Sequence, residues 1–160
     1  MFKSPVKLSD IEPEPLQKLF SYWQKIRADR KMPAKQDFNP SDVPSLLPYI
    51  TLIDVEENPR RYRTRLAGTE NTRVLGFDPT GRYFEETPQL SGAIKRFTWL
   101  VEHKEPYLYR GSLKWSDKDF LDYYSIALPF SDDDKNVNIL LFGVYYLFIE
   151  ESEHGMEHNV

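Results

Sequence analysis

Residues 137–149 read VNILLFGVYYLFI. Successive side chains of a strand point to opposite faces of its sheet. Ile139, Leu141, Tyr145 and Leu147 therefore face one way, and Leu140, Phe142, Val144, Tyr146 and Phe148 the other. A strand with one wet face would alternate apolar and polar residues. This one does not, so it predicts a central strand covered on both faces. The chain must then supply an apolar layer on each side of one sheet.

The rest of the sequence offers those layers. Leu16, Leu19, Phe20, Trp23 and Ile26 form one apolar stripe at helical spacing, behind Pro13 and Pro15 and ahead of a basic RADRK end. Residues 31–48 hold four prolines and read as a turn-rich connector with at most a short helix around Asp42–Leu47. YITLIDVE (49–56) and RYRTRLAG (61–68) read as strands on either side of an Asn58-Pro59 turn. Thr69 is placed to cap a short helix that ends at Gly76, and LSGAIKRFTWLVEHK (90–104) carries a second helical register. PYLYRGSLKW, FLDYYSIALPF and the final apolar segment then form three strands joined by tight turns, an antiparallel meander. The helices of 69–104 can cover one sheet face. The spare apolar surface for the other is the stripe of residues 16–26, from the same chain or from a second copy.

Composition narrows the function. A chain of 160 residues suits one domain. A net charge of -4 argues against nucleic acid and against an anionic membrane surface. With no cysteine there is no disulfide, thiolate metal site, thiol nucleophile or flavin photochemistry through a cysteine adduct. Residues 1–12 lack the basic start and apolar run of a signal peptide, and no apolar stretch suits a membrane span, so the cytoplasm is the expected location.

Three segments sharpen the fold. MPAKQDFNPSDVPSLLPYITLIDV, RYRTRLAGT and GFDPTGRYFEE resemble the small stand-alone bacterial PAS-like domain proteins. The matching positions are Pro33, Asp37, Phe38, Pro40, Asp42, Leu46, Leu47, Pro48, Arg65, Leu66, Gly68, Thr69, Gly76, Thr80, Gly81 and Arg82; Met32, Lys35, Asn39 and Thr64 depart from the pattern. The resemblance covers about residues 32–150. It implies an α+β fold: a PAS-like five-stranded antiparallel sheet with helices on one face enclosing a cup. Residues 1–31 become a flanking helix, on the other face or in a dimer interface, and 151–160 a disordered tail. The resemblance also implies a non-enzymatic sensory or regulatory module. It would bind a small ligand in the cup or, as the alternative, act as a ligand-free protein adaptor. An enzyme is the remote third reading. A homodimer and a separate signalling partner are expected, because no effector segment is visible. No cofactor can be named.

Candidate site residues follow. GFDPTGRY, residues 76–83, comes close to a phosphate loop, but Pro79 removes a backbone donor, Arg82 stands where lysine is needed and Tyr83 replaces the hydroxyl that holds magnesium. A helix end at Gly76 followed by a turn is the plainer reading. Arg61, Arg63 and Arg65 alternate on one strand face, which reads as a solvated row of ion pairs; Arg65, inside RLAGT, is set apart as a ligand candidate. Tyr107, Tyr109, Trp115 and Tyr124 could line one cavity, each bringing a polar handle to an apolar wall, or fill a core. His103 closes a helix, and His154 and His158 sit in the polar tail, so no metal site is expected. Asp132, Asp133 and Asp134 read as a hairpin tip.

Overall fold

The computed structural model describes residues 1–114 and 119–148. Chain order is β1 (Phe2–Lys3), α1 (Glu14–Arg27), β2 (Ile50–Glu56), β3 (Arg61–Ala67), α2 (Thr69–Leu75), α3 (Ala93–His103), β4 (Tyr107–Lys114), β5 (Phe120–Phe130) and β6 (Ile139–Leu147), with short 3-10 turns in the connectors. The sheet runs β1-β4-β5-β6-β2-β3, and all its pairings are antiparallel. The apolar segment β6 is therefore central, between β5 and β2, as its two greasy faces require. No helix among the described residues is long and apolar enough to cross a membrane.

The sheet has six strands where the sequence suggested five. The extra one, β1, pairs Phe2 with Tyr109 and Lys3 with Leu108. Two residues are too few to show an alternating pattern. What holds them is Phe2, whose ring stacks on Tyr107 and meets Trp99 edge-on, each at 5.0 Å. A second difference lies at α2. Thr69 is its first helical residue rather than its cap, and the cap position falls on Gly68; the helix ends at Gly76 with φ 80, as expected of a left-handed terminus.

Each face of β6 has its own cover. Helix α1 lies on the outer face, burying Leu16, Leu19, Phe20 and Trp23. A Cβ on Gly143 would meet the Leu19 side chain at 2.6 Å and that of Leu16 at 3.1 Å, so the missing side chain lets the helix approach the sheet. The Trp23 indole donates to the Pro129 carbonyl at 3.0 Å and fixes the end of the helix. On the inner face α3 inserts Phe97, which meets Tyr62, Phe84 and Phe142 edge-on at 5.0–5.4 Å. The N-terminal helix thus covers the sheet of its own chain, and one chain meets the burial demand of β6.

The motif glycine Gly68 has a packing reason. Its φ of -69 suits any residue. A Cβ there would lie 2.4 Å from the Pro48 carbonyl oxygen and 2.5 Å from that of Leu47. These are backbone atoms, which cannot swing aside. Gly68→Ala is expected to cost about 1–3 kcal/mol, the usual range for overpacking. The urea midpoint should fall at unchanged slope.

The loop 131–136 ties the connector to the sheet. Asp134 accepts from the backbone of Met32 at 3.1 Å, and the Pro33 carbonyl accepts from the Ser131 amide at 2.9 Å. Asp133 accepts from the Asn136 and Lys135 amides at 2.8 and 2.9 Å and from the Ser131 hydroxyl at 2.9 Å. These donors, the backbone ones first, hold its carboxyl far below the usual carboxylate range. A depressed pKa stabilises the fold above the unfolded value, about 3.9, and that stability is lost as pH falls below it. Asp133→Asn should therefore lower the urea midpoint at pH 7 and flatten its decline on acidification below about pH 4. Urea titrations between pH 7 and pH 2 read both effects.

Candidate functional site: a polar cup under helix α3

The inner face of β4, β5 and β6 forms a cup under α3 and the turns that precede it. The apolar stripe of α3 explains its placement: Ala93, Phe97, Leu100 and Val101 are buried. Arg96 falls on that same stripe, three residues after Ala93 and four before Leu100. The stripe therefore carries a guanidinium into the cup.

Between Arg96, Tyr109, Tyr123, Phe142, Val144 and Tyr146 lies a cavity of about 140 Å³. The Arg96 guanidinium sits 3.7 Å from the centre of the Tyr109 ring, and Nη2 donates weakly to the Tyr123 hydroxyl at 3.4 Å. A cation over an aromatic face is worth about 0.5–2 kcal/mol. No carboxylate pairs with Arg96 among the described residues. Among the described residues its buried Nε has no hydrogen-bond partner, and neither do the buried Tyr107 and Ser125 hydroxyls. Register brings these groups together: Tyr109 pairs with Ser125 and Gly111 with Tyr123, so Tyr107, Tyr109, Tyr123 and Ser125 share the cup face. Burial pushes the Tyr107 phenol well up from its usual value, and the nearby Arg96 charge works against that shift. Burial raises Tyr123 for the same reason, again opposed by Arg96.

The other end of the cup is satisfied and nearly full. Asn71 donates to Thr51 Oγ1 at 2.5 Å and accepts from the Tyr146 hydroxyl at 2.7 Å, leaving about 20 Å³ beside Phe84 and Phe142. A wider groove of about 400 Å³ lies elsewhere, between Trp23 and Arg27 of α1 and the segment His103–Pro106. It is open to solvent. Its Arg27 and Lys104 stand at two helix C-termini, where cations suit the dipoles.

The residues singled out from sequence separate. Tyr107 and Tyr109 face the cup. Tyr124 does not: it is paired with Arg110 and Tyr145 in register and points to the outer face, where its hydroxyl donates to Glu12 at 2.8 Å and accepts from Arg110 at 3.1 Å. Its neighbour Tyr123 takes the cup position. Arg65 also stands apart from the cup. It is exposed on an edge strand and paired at 3.0 Å with Asp54, whose partner Ile139 lies on the outer face. Arg61 pairs likewise with Glu85 at 2.5 Å, while Arg63 donates to the Gly81 carbonyl at 3.0 Å, so two of the three arginines of the row form surface ion pairs. Trp115, His154, His158 and the tail 151–160 lie outside the described residues.

Residues 76–83 form a bend. Asp78 accepts from the Thr80 amide at 3.0 Å, Gly81 has φ 85, and the Arg82 carbonyl accepts from the Thr64 amide at 2.9 Å on the edge of β3. Sequence reasoning passed over Arg96 and Tyr123. The available signal was a charge inside an apolar helical stripe.

An antiparallel sheet closed on one face by helices around a small cavity defines a cup-shaped α+β fold. The chain belongs to the PAS domain family, whose family model matches residues 11–145. A solved structure agrees in fold. A light-oxygen-voltage domain studied through a flavin analogue is 11% identical with a TM-score of 0.52, over 74% of this chain and 91% of that one. The PAS domain of Bordetella pertussis BvgS is 12% identical with a TM-score of 0.43, over 71% and 89%. A sensory box histidine kinase/response regulator from Burkholderia thailandensis is 8% identical with a TM-score of 0.45, over 75% and 93%. No curated protein matches the chain.

Proposed function

We propose that this chain is a non-enzymatic sensory or regulatory PAS module that takes a small polar ligand into the cup under α3 and passes its output to a separate protein. The observation that carries this reading is the Arg96 guanidinium, which lines a cavity with no carboxylate beside it and whose buried Nε, like the Tyr107 and Ser125 hydroxyls of the cup face, has no hydrogen-bond partner among the described residues. Buried polar groups are nearly always paired, and leaving one unmade costs about 1–3 kcal/mol. Family membership supports the sensory part, since PAS domains generally sense rather than catalyse. A cavity of about 140 Å³ has room for roughly five groups the size of a water, at ~30 Å³ each. A tricyclic flavin ring does not fit it.

The helix α1 removes the reason for expecting a homodimer, because it supplies in one chain the cover that a second copy would have brought. One observation favours the adaptor reading instead. An apolar groove of about 370 Å³ runs beside β3, between Phe38, Leu47, Pro48 and Leu66, and could seat a partner. Native mass spectrometry on freshly purified protein, with amide NMR against a panel of small polar compounds, separates the two. Sensing predicts a retained small mass, or shifts confined to Arg96, Tyr109 and Tyr123. A bare mass with those three signals unmoved by every compound leaves only the adaptor.

A further inference from the structure

We infer that the cup ligand is a compact monocarboxylate, its carboxylate held by Arg96 and its short alkyl end against Phe142 and Val144; this rests on the reading of the cup as a ligand site. Charge comes first. Among the residues that line the cavity Arg96 is the one cation, and none is an Asp or Glu. A guanidinium brings a full positive charge to the cup. The face of Tyr109 answers it only in part, and Nε, with no partner, still presents an N–H. One uncompensated cation calls for one negative charge, which favours a monoanion over a dianion.

Shape comes second. A guanidinium offers parallel N–H donors that match the two oxygens of a carboxylate, a geometry lysine cannot copy. The Tyr123 hydroxyl, which also lines the cavity and already meets Arg96 Nη2, is a further donor beside the guanidinium. Much of the remaining wall is apolar, from Leu90, Ala93, Leu113, Phe142 and Val144, with Gln89, Ser112 and Tyr146 as its polar members. A charged head and a short hydrocarbon tail fit that division. The volume, about 140 Å³, suits a ligand of roughly five non-hydrogen atoms, the size of propionate.

The test is calorimetric and amide-NMR titration of the full chain with propionate, its neutral isostere propionamide, and inorganic phosphate. The expected result is saturable propionate binding that shifts Arg96, Tyr109 and Tyr123, at least tenfold weaker binding of propionamide, and weaker binding of phosphate. Arg96→Gln should weaken propionate tenfold or more, and Arg110→Gln, on the outer face, should leave it unchanged. Should Arg96→Gln fail to fold, Arg96→Lys keeps the charge and the stem, and loses affinity if the two-pronged contact matters. Equal binding of propionamide overturns the anion assignment and leaves the cup reading intact. Tighter, Arg96-dependent binding of phosphate overturns the carboxylate in favour of an inorganic oxyanion. Absence of binding by all three, with a bare native mass, sinks the assignment and the cup reading together.

Discussion

A chain that begins at Met32 is expected to lose cooperative unfolding. Removing residues 1–31 takes away Ile11, Leu16, Leu19, Phe20 and Trp23, each at most 4% exposed in the fold. Burying a large apolar side chain is worth about 1.5–3 kcal/mol, so these five represent on the order of 8–15 kcal/mol of gross burial. A domain's whole net stability is about 5–15 kcal/mol. The loss is not confined to the helix, because Ile50, Ile126, Leu128 and Leu141 of the outer sheet face would then meet water. The Trp23 bond to Pro129 disappears as well. The shortened chain should aggregate, or show no sharp thermal transition by calorimetry. A soluble monomer of undiminished stability would mean that α1 contributes little to the fold.

Phe97→Ala should cost about 3–5 kcal/mol, the range for deleting a fully buried aromatic ring. Phe97 is 0% exposed and touches three other rings, Tyr62, Phe84 and Phe142. For a domain of this size each kcal/mol moves Tm by about 2–4 °C, so a fall of roughly 10 °C is expected. The effect should reach the cup. Arg96 precedes Phe97 on the same helix, and the ring anchors that turn of α3 to Phe142 on β6. Loosening it should broaden the amide signals of Tyr109 and Tyr123. Phe97→Leu refills most of the volume and should recover both stability and the signals. A Tm drop with the cup signals unaltered would separate packing from site order.

The elements that carry long apolar patterns were legible before any coordinates. The helix at Leu16–Ile26, the three-strand meander and the central place of β6 follow from side-chain spacing alone. So do the end of α2 at Gly76 and the bend that follows it. Features resting on few residues or on register were not legible. Strand β1 has two residues, and what marks it is the docking of Phe2 on Tyr107 and Trp99. Tyr124 was grouped with Tyr107 and Tyr109 because each alternates within its own strand. The phase between strands is a separate quantity, and the β4–β5 pairing puts Tyr123 in the cup instead. An irregularity in the β2–β3 register between Leu52 and Ile53 likewise leaves Arg65 outside the ladder of paired residues.

The amino-acid order by itself determined that one sheet must be covered on both sides, since the greasy faces of β6 leave no other stable arrangement. Only the tertiary structure decided that α1 of the same chain makes the outer cover, and that Arg96, Tyr109 and Tyr123 meet in the cup. The reason is physical. Burial is a local demand, written into each strand by its own side chains. Which residues share a face depends on hairpin register, where a slip of one residue turns every side chain over, and that register is set by pairing across the whole sheet.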